Sequence, residues 1–425
     1  LRLGKEHTMK ELSAQDPFAP EVLACPHEYN QQLREQAPVY HCPKTGIYFV
    51  SNYDLVMDIA KNDSVFSSKF SNLMSSFNDK EPTDEEKKQR EELNAIRRKG
   101  FPRIDTMLTQ DLPEQRRYRS LCQKPFSVKN VAKLRPYLTE LSNELIDQFI
   151  DDRECDWMKS FCVPIAVKVI AKILGVPFKD MDLFKKWSDA NVHAFAAGQT
   201  HAELMHSSQL VVDFQHYFAQ KIEDRQRKPT DDVLSEIVNS TADGERPMNV
   251  PECLSVIAQL LVAGNETTTA TFAEGMSLLI NNPDQLEKVQ KNRKLIPNMV
   301  EEMLRLATPS AQMWRIVTQD TNIGGVDIPK GSTIMIKWIS ANRDEQFYPD
   351  GHRFDVERHN SRRHLAFGQG IHHCPGAPLA RLELEVGWEV ILDRMTNFST
   401  DTELEFHPSL LLHAPVGIHI KFDKT

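Results

Sequence analysis

Cys374 stands in the run L-A-F-G-Q-G-I-H-H-C-P-G-A-P-L-A-R-L-E-L-E over residues 365–385, with Gly368 and Gly370 before it and Gly376 after it. Closely spaced glycines let a chain turn tightly and bring backbone N–H groups toward a neighbouring atom. Good helix formers run on from Leu379, and a helix start beside Cys374 favours its thiolate over its thiol. An anionic sulfur is a metal ligand. Structural zinc and iron–sulfur sites generally need several cysteines or histidines at fixed spacing, whereas an axial thiolate on haem iron needs one cysteine. No second cysteine lies near Cys374, so spacing argues against a multi-cysteine cage. The alternative is a buried structural cysteine in a glycine-rich turn.

A second group of polar residues interrupts an apolar helix. Residues 248–280 are predicted as one long helix, yet within L-V-A-G-N-E-T-T-T-A-T Gly264 is followed at once by Asn265, Glu266 and three threonines. A helical glycine gives up about 1 kcal/mol, and buried polar groups are costly unless something uses them. That use is chemistry or, alternatively, close helix packing. Gln259 precedes Ala263 by four residues and Thr267 by eight, so the three share one helical face. Glu302 and Arg305 are three apart and also share a face, a pairing common on surface helices.

These residues need elements to hold them. A helix is predicted around 26–36, and strand-forming stretches at 39–40 and 48–50 should pair as a hairpin across a Pro/Gly turn. The charge run over 80–93 is most simply a solvated helix. Pro113 and Glu114 suit a helix start, which puts Gln115 and Arg119 on one face. Residues 130–250 read as amphipathic helix, broken at 175–177 and again near Gly198, between long stretches at 181–197 and 202–227. His193, His201 and His206 fit no metal spacing and read as surface or roof histidines. Arg315 is expected between a turn at 308–312 and strand-like segments at 316–318 and 333–337, and the tail over 407–422 forms a further turn-and-strand pair.

Taken as a motif, Phe367-Gly368-x-Gly370-x-His372-x-Cys374-x-Gly376 closely resembles the haem-binding loop of the cytochrome P450 family. The A-G-x-E-T-T segment is similar to that family's oxygen-activation segment. Glu302-x-x-Arg305, Ala341-Asn342-Arg343-Asp344 and Phe354-Asp355-x-x-Arg358 follow in the family's order. The resemblance is strongest from Asp111 to Glu385. It implies a mainly α fold with small β-sheets and a long central helix over the haem. Residues 1–425 would form one catalytic domain, with a β-rich region near 37–70, a helical body over 111–390 and a β-rich tail over 391–425.

For the site, the resemblance implies haem b with Cys374 as the axial ligand of its iron, Phe367 packed near the sulfur and loop amides hydrogen-bonded to it. Arg119, Arg315 and His372 would clamp the two propionates, Arg offering a rigid multi-donor fork. Gln115 stands where many relatives carry histidine. Ala263 and Gly264 would leave room for dioxygen beside Thr267, and Glu266 with Thr267 would relay protons. Glu302, Arg305 and Arg358 resemble the charged core network that fixes the proximal side. The segment ending at Gln110 and the helices over 181–227 would cover the substrate, with Gln259, Val262, Ala263, Ala311, Met313 and Leu412 as pocket candidates and Leu411 or His413 within reach.

The implied activity is a monooxygenase that uses O2 and two external electrons from NAD(P)H to hydroxylate or O-dealkylate a small organic substrate. No reductase sequence lies within the chain, so a separate ferredoxin with its reductase is expected, ahead of a flavodoxin. Arg116, Arg117 and Lys124 are either that partner's footprint or a solvated basic surface. An apolar residue at Gln259 would suggest terpenoid or steroid hydroxylation, whereas its amide suits an oxygenated or methoxylated substrate, an aromatic or sugar methyl ether that would lose formaldehyde. The alternative is that Gln259 bonds the roof helices. From other classes, a haem sensor, an electron-transfer protein, or a haem-thiolate isomerase or dehydratase also remain. A pure binder has no need of the Glu266–Thr267 pair.

Composition agrees with an enzyme of this kind. The chain has 425 residues and a formal charge of -9, which makes nucleic acid a poor partner. Its seven cysteines are scattered and odd in number, unlike a disulfide scaffold, and point to a reducing compartment. No apolar run reaches the roughly 18 residues of a membrane-spanning helix. A cytoplasmic monomer is expected, with Met9 closer to the natural start.

Overall fold

The longest helix among the described residues, Val250–Asn281, is fixed at its start by its own sequence. Asn249 accepts the Glu252 N–H at 3.0 Å, and the Glu252 carboxylate accepts the Asn249 N–H at 2.7 Å. This reciprocal cap satisfies two backbone donors that a helix end otherwise leaves orphaned. The computed structural model describes residues 11–71, 83–193, 199–241, 244 and 246–425.

Around this central helix pack Val163–Ile173, Ile296–Ala307 and Ala377–Arg394. Met181–His193 and His201–Arg227 lie against one another and against the central helix. They are the two roof helices expected from the sequence. The expected break near Gly198 lies outside the described residues. The charge run gives the helix Asp84–Arg97, capped by Thr83 and Glu86 and without a buried residue, which lies along His201–Arg227; residues 80–82 of the run lie outside the described residues.

A five-stranded sheet stands beside the helices, in the order Val39–His41, Tyr48–Val50, Thr333–Ile336, Met313–Val317 and Phe66–Ser67. The expected hairpin has Val39 opposite Val50 and His41 opposite Tyr48. Arg315 lies inside a strand rather than before one, opposite Ile334. Aromatic and β-branched neighbours in M-W-R-I-V carry the strand through the charge. In the tail, His419–Lys424 pairs with Glu154–Asp156 and Met395–Ser399, and Glu405–Phe406 pairs with Pro415–Gly417. No helix among the described residues is long and apolar enough to cross a membrane.

The Glu302–Arg305 pair is no surface ornament. Both residues are fully buried, and Arg305 grips the carboxylate at 2.7 Å through both Nε and Nη2. Arg358 donates to the same carboxylate at 2.8 Å. Their remaining N–H groups go to the carbonyls of Asn342, Gly351, Arg353, Pro349 and Asp350. Removing one partner from such a pair costs about 3–5 kcal/mol. Asn342 in turn accepts the Leu365 N–H at 2.6 Å, which ties the network to the start of the cysteine loop.

Candidate active site

The cysteine loop turns back on itself, with the Cys374 N–H donating to the Phe367 carbonyl at 2.8 Å. Gly370 has φ +71, and a Cβ there would collide with the Ala60 carbonyl. Only glycine lets the loop lie against the helix Tyr53–Lys61. The helix Ala377–Arg394 starts directly after Gly376, as the sequence predicts. Burial pushes the Cys374 thiol up, outweighing the backbone amides of Gly376 and Ala377 and the guanidiniums of Arg119 and Arg381 that pull it down. A bound cation reverses that balance, because a coordinated thiol is deprotonated.

The loop is braced by groups that sequence reading passed over. Glu301, adjacent to Glu302, is almost fully buried and bonds His364 at 3.0 Å and Arg381 at 2.7 Å. Hydrogen bonds from His364 and Arg381 hold its carboxyl at about 2 despite burial. Arg381 also stacks its guanidinium 4.6 Å from the centre of the Phe367 ring. A signal was available in the sequence: a second glutamate beside Glu302 on the same helix. Its partners, 63 and 80 residues away, carried no mark.

Cys374 opens onto a cavity of about 1100 Å³, whose wall includes Phe367, Gly368, His372, Arg119, Arg315, Ala263, Gly264 and Thr267. Arg119 donates to the His373 carbonyl at 2.5 Å. Arg315 is buried and donates to the Trp314 carbonyl at 2.7 Å, and burial lowers its pKa to about 10 against the raising influence of Asp111. His372 bonds the Met107 carbonyl through Nδ1 at 3.1 Å, while its buried Nε2 has no partner. Burial, with Arg315 nearby, pushes His372 down to about 4. Gln115 is buried and is not among the wall residues; it donates to the Ile371 carbonyl at 2.8 Å and so braces the cysteine loop.

On the central helix, Thr267 donates its hydroxyl to the Ala263 carbonyl at 2.7 Å, so its oxygen is left as an acceptor toward the cavity. Glu266 is not on the cavity wall. It lies toward Asp189 and Lys185 of the roof, and its pKa is raised by burial and then by Asp189, with Lys185 opposing. Asn265 connects the two elements, donating to Ser188 at 2.7 Å and to Glu266 at 3.4 Å. Gly264 needs more than room over the cavity. A Cβ there would overlap Ile170 Cδ1, so close packing of the helix Val163–Ile173 also demands the glycine.

The segment before Asp111 covers the cavity with Phe101, Pro102, Arg103, Met107 and Leu108, and Val262, Met313, Leu411 and Leu412 line it. Ala311 does not. Its N–H and carbonyl are spent on Leu411 and Ile339, and its neighbours Pro309 and Ser310 form the wall instead. His413 is also absent from the wall; it is buried against Phe406, their rings stacked at 3.8 Å. Gln259 lines the cavity, and its amide donates to Thr106 at 2.5 Å, in the covering segment rather than in the roof helices. The basic surface loses a member. Arg117 is bound to Glu252 at 3.1 Å and is half-buried, while Arg116 and Lys124 are exposed.

Among the described residues no group of three or more His, Cys, Asp or Glu could hold a metal ion, and Cys374 is the one cysteine on the described cavity wall. The profile of the family described as Cytochrome P450 matches residues 78–422. The chain is 34% identical over 337 residues to the 6-deoxyerythronolide B hydroxylase of Saccharopolyspora erythraea, covering 75% of this chain and 81% of that protein. To the steroid C26-monooxygenase of Mycobacterium tuberculosis it is 30% identical over 380 residues, covering 89% and 95%. Among solved structures, cytochrome P450 CYP109Q5 from Chondromyces apiculatus superposes with a TM-score of 0.83 at 31% identity, covering 98% of this chain and 100% of that one. With the family profile matching most of the chain and a hydroxylase 34% identical over three quarters of it, the chain belongs to the cytochrome P450 family of oxidoreductases.

Proposed function

We propose that the protein is a haem-thiolate monooxygenase that hydroxylates a C–H bond of a small, largely apolar substrate bearing a polar group. One oxygen atom of O2 enters the product, and the other leaves as water with two protons and two electrons. The electrons come from NAD(P)H through a separate ferredoxin and its reductase. Family membership implies haem b, and the residues present fit it. Arg315 is a buried cation on the wall, costly to bury unless an anion meets it, and such an anion would also favour the protonated ring of His372, whose buried Nε2 has no partner and would then donate to it. Haem propionates are such anions.

In this reading Cys374 holds the iron, Arg119, Arg315 and His372 hold the propionates, and the Glu302–Arg305–Arg358 network keeps the loop in place. A thiolate-ligated haem supplies the activation of dioxygen. The chain's own residues orient the substrate, exclude water and move protons. Thr267 holds a hydrogen-bond donor at Oγ1, and Glu266 exchanges protons with the roof side through its raised pKa. Gln259 spends one amide N–H on Thr106, and its carbonyl and second N–H remain to hold the polar group of the substrate.

The observation that carries the reading is Cys374 and Thr267 on opposite elements of one cavity. With a competent ferredoxin system, a substrate that shifts the spin state should stimulate NAD(P)H oxidation and gain one labelled atom from heavy-isotope dioxygen. Unlabelled product, or no stimulated oxidation despite proven reduction, would move the sensor, electron-transfer and isomerase readings ahead. The clamp has its own test. Arg315→Leu should lose haem at least about tenfold faster than wild type, with an unchanged Soret type in the loaded fraction; unchanged release kinetics would remove Arg315 from the clamp.

A further inference from the structure

The described wall of the cavity carries five arginines, Arg97, Arg98, Arg103, Arg119 and Arg315, against one carboxylate, Glu383. This excess of positive charge occurs in a chain of formal charge -9. Arg119 and Arg315 belong with the cysteine loop. The other three are exposed and form an outer rim. Arg98 is already occupied, donating to Glu91 at 2.5 Å. Arg97 and Arg103 make no ion pair and no side-chain hydrogen bond among the described residues.

Both are held in position. Gln215 of the roof accepts the Phe101 N–H at 2.9 Å and donates to the Phe101 carbonyl at 3.1 Å. His216 bonds the Lys99 carbonyl at 2.9 Å, and Ser255 of the central helix accepts the Ile104 N–H at 2.9 Å. The backbone between the two arginines is therefore pinned to two walls of the cavity. A helix-dipole role accounts for Arg97 in the last turn of Asp84–Arg97. It does not account for Arg103, which lies beyond that helix. Inside the rim the wall turns apolar, with Val212, Phe214, Leu254, Val262, Leu411 and Leu412.

We propose that Arg97 and Arg103 bind the oxyanion head group of an amphipathic substrate, a carboxylate or a phosphate monoester, whose apolar body fills the cavity on which Thr267 lies. This rests on the monooxygenase reading of that cavity. Guanidinium forks match both head groups through charge-assisted hydrogen bonds, and a local positive rim on an acidic protein steers anions toward the mouth. Exposure limits the gain from each contact. Two acting together should give about tenfold in affinity.

The test is calorimetric titration of the haem-loaded protein with dodecanoate, dodecyl phosphate and dodecanol. At least one of the anions should bind about tenfold more tightly than the alcohol, with an advantage that shrinks as salt rises; the tighter anion identifies the head group. In the double variant Arg97→Gln/Arg103→Gln, the anions should fall to the alcohol's affinity while the alcohol's own affinity and the reduced carbon monoxide spectrum stay as in wild type. Anions no tighter than the alcohol in wild type, or a preference that survives in the double variant, overturns the proposal. A protein that keeps substrate-stimulated reductant use yet shows no head-group preference loses this inference alone. Loss of that coupled turnover sinks the monooxygenase reading whichever head group binds.

Discussion

Cys374→His should abolish the red-shifted Soret band that marks a thiolate ligand in the reduced carbon monoxide complex, and monooxygenase turnover with it. No other cysteine lies on the described wall of the cavity. Cys122, Cys155 and Cys253 are buried elsewhere, and burial pushes each of their thiols up to about 12. None is poised to replace Cys374 as an anion. An imidazole at position 374 is a neutral ligand without the thiolate's electron donation, which is the property that favours O–O cleavage. Loss of haem from the variant removes the band as well, and circular dichroism then shows whether the helices survive. A retained thiolate band in a folded Cys374→His protein would assign the ligand to another sulfur and remove the central residue of the site.

The parts of this site legible in the sequence were those whose partners lie close along the chain. The turn-and-helix around Cys374, the Glu302–Arg305 pair and the hairpin over Val39–Val50 each bring together residues a few positions apart, so spacing predicts them. Contacts between distant segments left no such mark. Gly264 read as space for a small molecule or as close helix packing, and only the structure shows that the packing partner is Ile170 on another helix. Arg117 read as part of an exposed basic surface with Arg116 and Lys124, yet Glu252, 135 residues on, binds it. Ala311 was a pocket candidate from the resemblance. Its backbone is instead consumed by the tail and by Ile339, a pairing no local pattern shows.

Position also decides what Glu266 and Thr267 can do. They are neighbours in sequence, but successive helical residues point about 100° apart, and only Thr267 reaches the cavity wall. The sequence places Glu266 about 100° around the helix from Thr267, toward a possible solvent path. In the structure Thr267 lies at the cavity and Glu266 toward the roof, where Asn265 and Ser188 link the central helix to Met181–His193.

Thr267→Ala should leave carbon monoxide and substrate binding nearly intact while product formed per NAD(P)H falls about tenfold or more, with hydrogen peroxide accounting for the reductant still consumed. Thr267 gives its own proton to the Ala263 carbonyl, so its Oγ1 serves the cavity as an acceptor that fixes a donor, such as water, in one place. Alanine removes that acceptor without adding bulk, and protons then arrive without positional control. Thr267→Ser, which keeps the oxygen, should restore most of the coupling. Glu266→Gln should act differently, slowing turnover with an enlarged solvent isotope effect because an ionisable group is lost rather than an acceptor. The pH dependence follows from the raised pKa of Glu266. A carboxyl with a raised pKa stays protonated to higher pH than an ordinary glutamate, so wild-type turnover should fall as pH rises through that value, and Glu266→Gln should lose this limb of the profile. The measurement is product and peroxide per NAD(P)H across pH for wild type and the three variants. Wild-type coupling in Thr267→Ala would show that the donor is fixed by another group, and an unchanged pH profile in Glu266→Gln would take Glu266 out of the proton path.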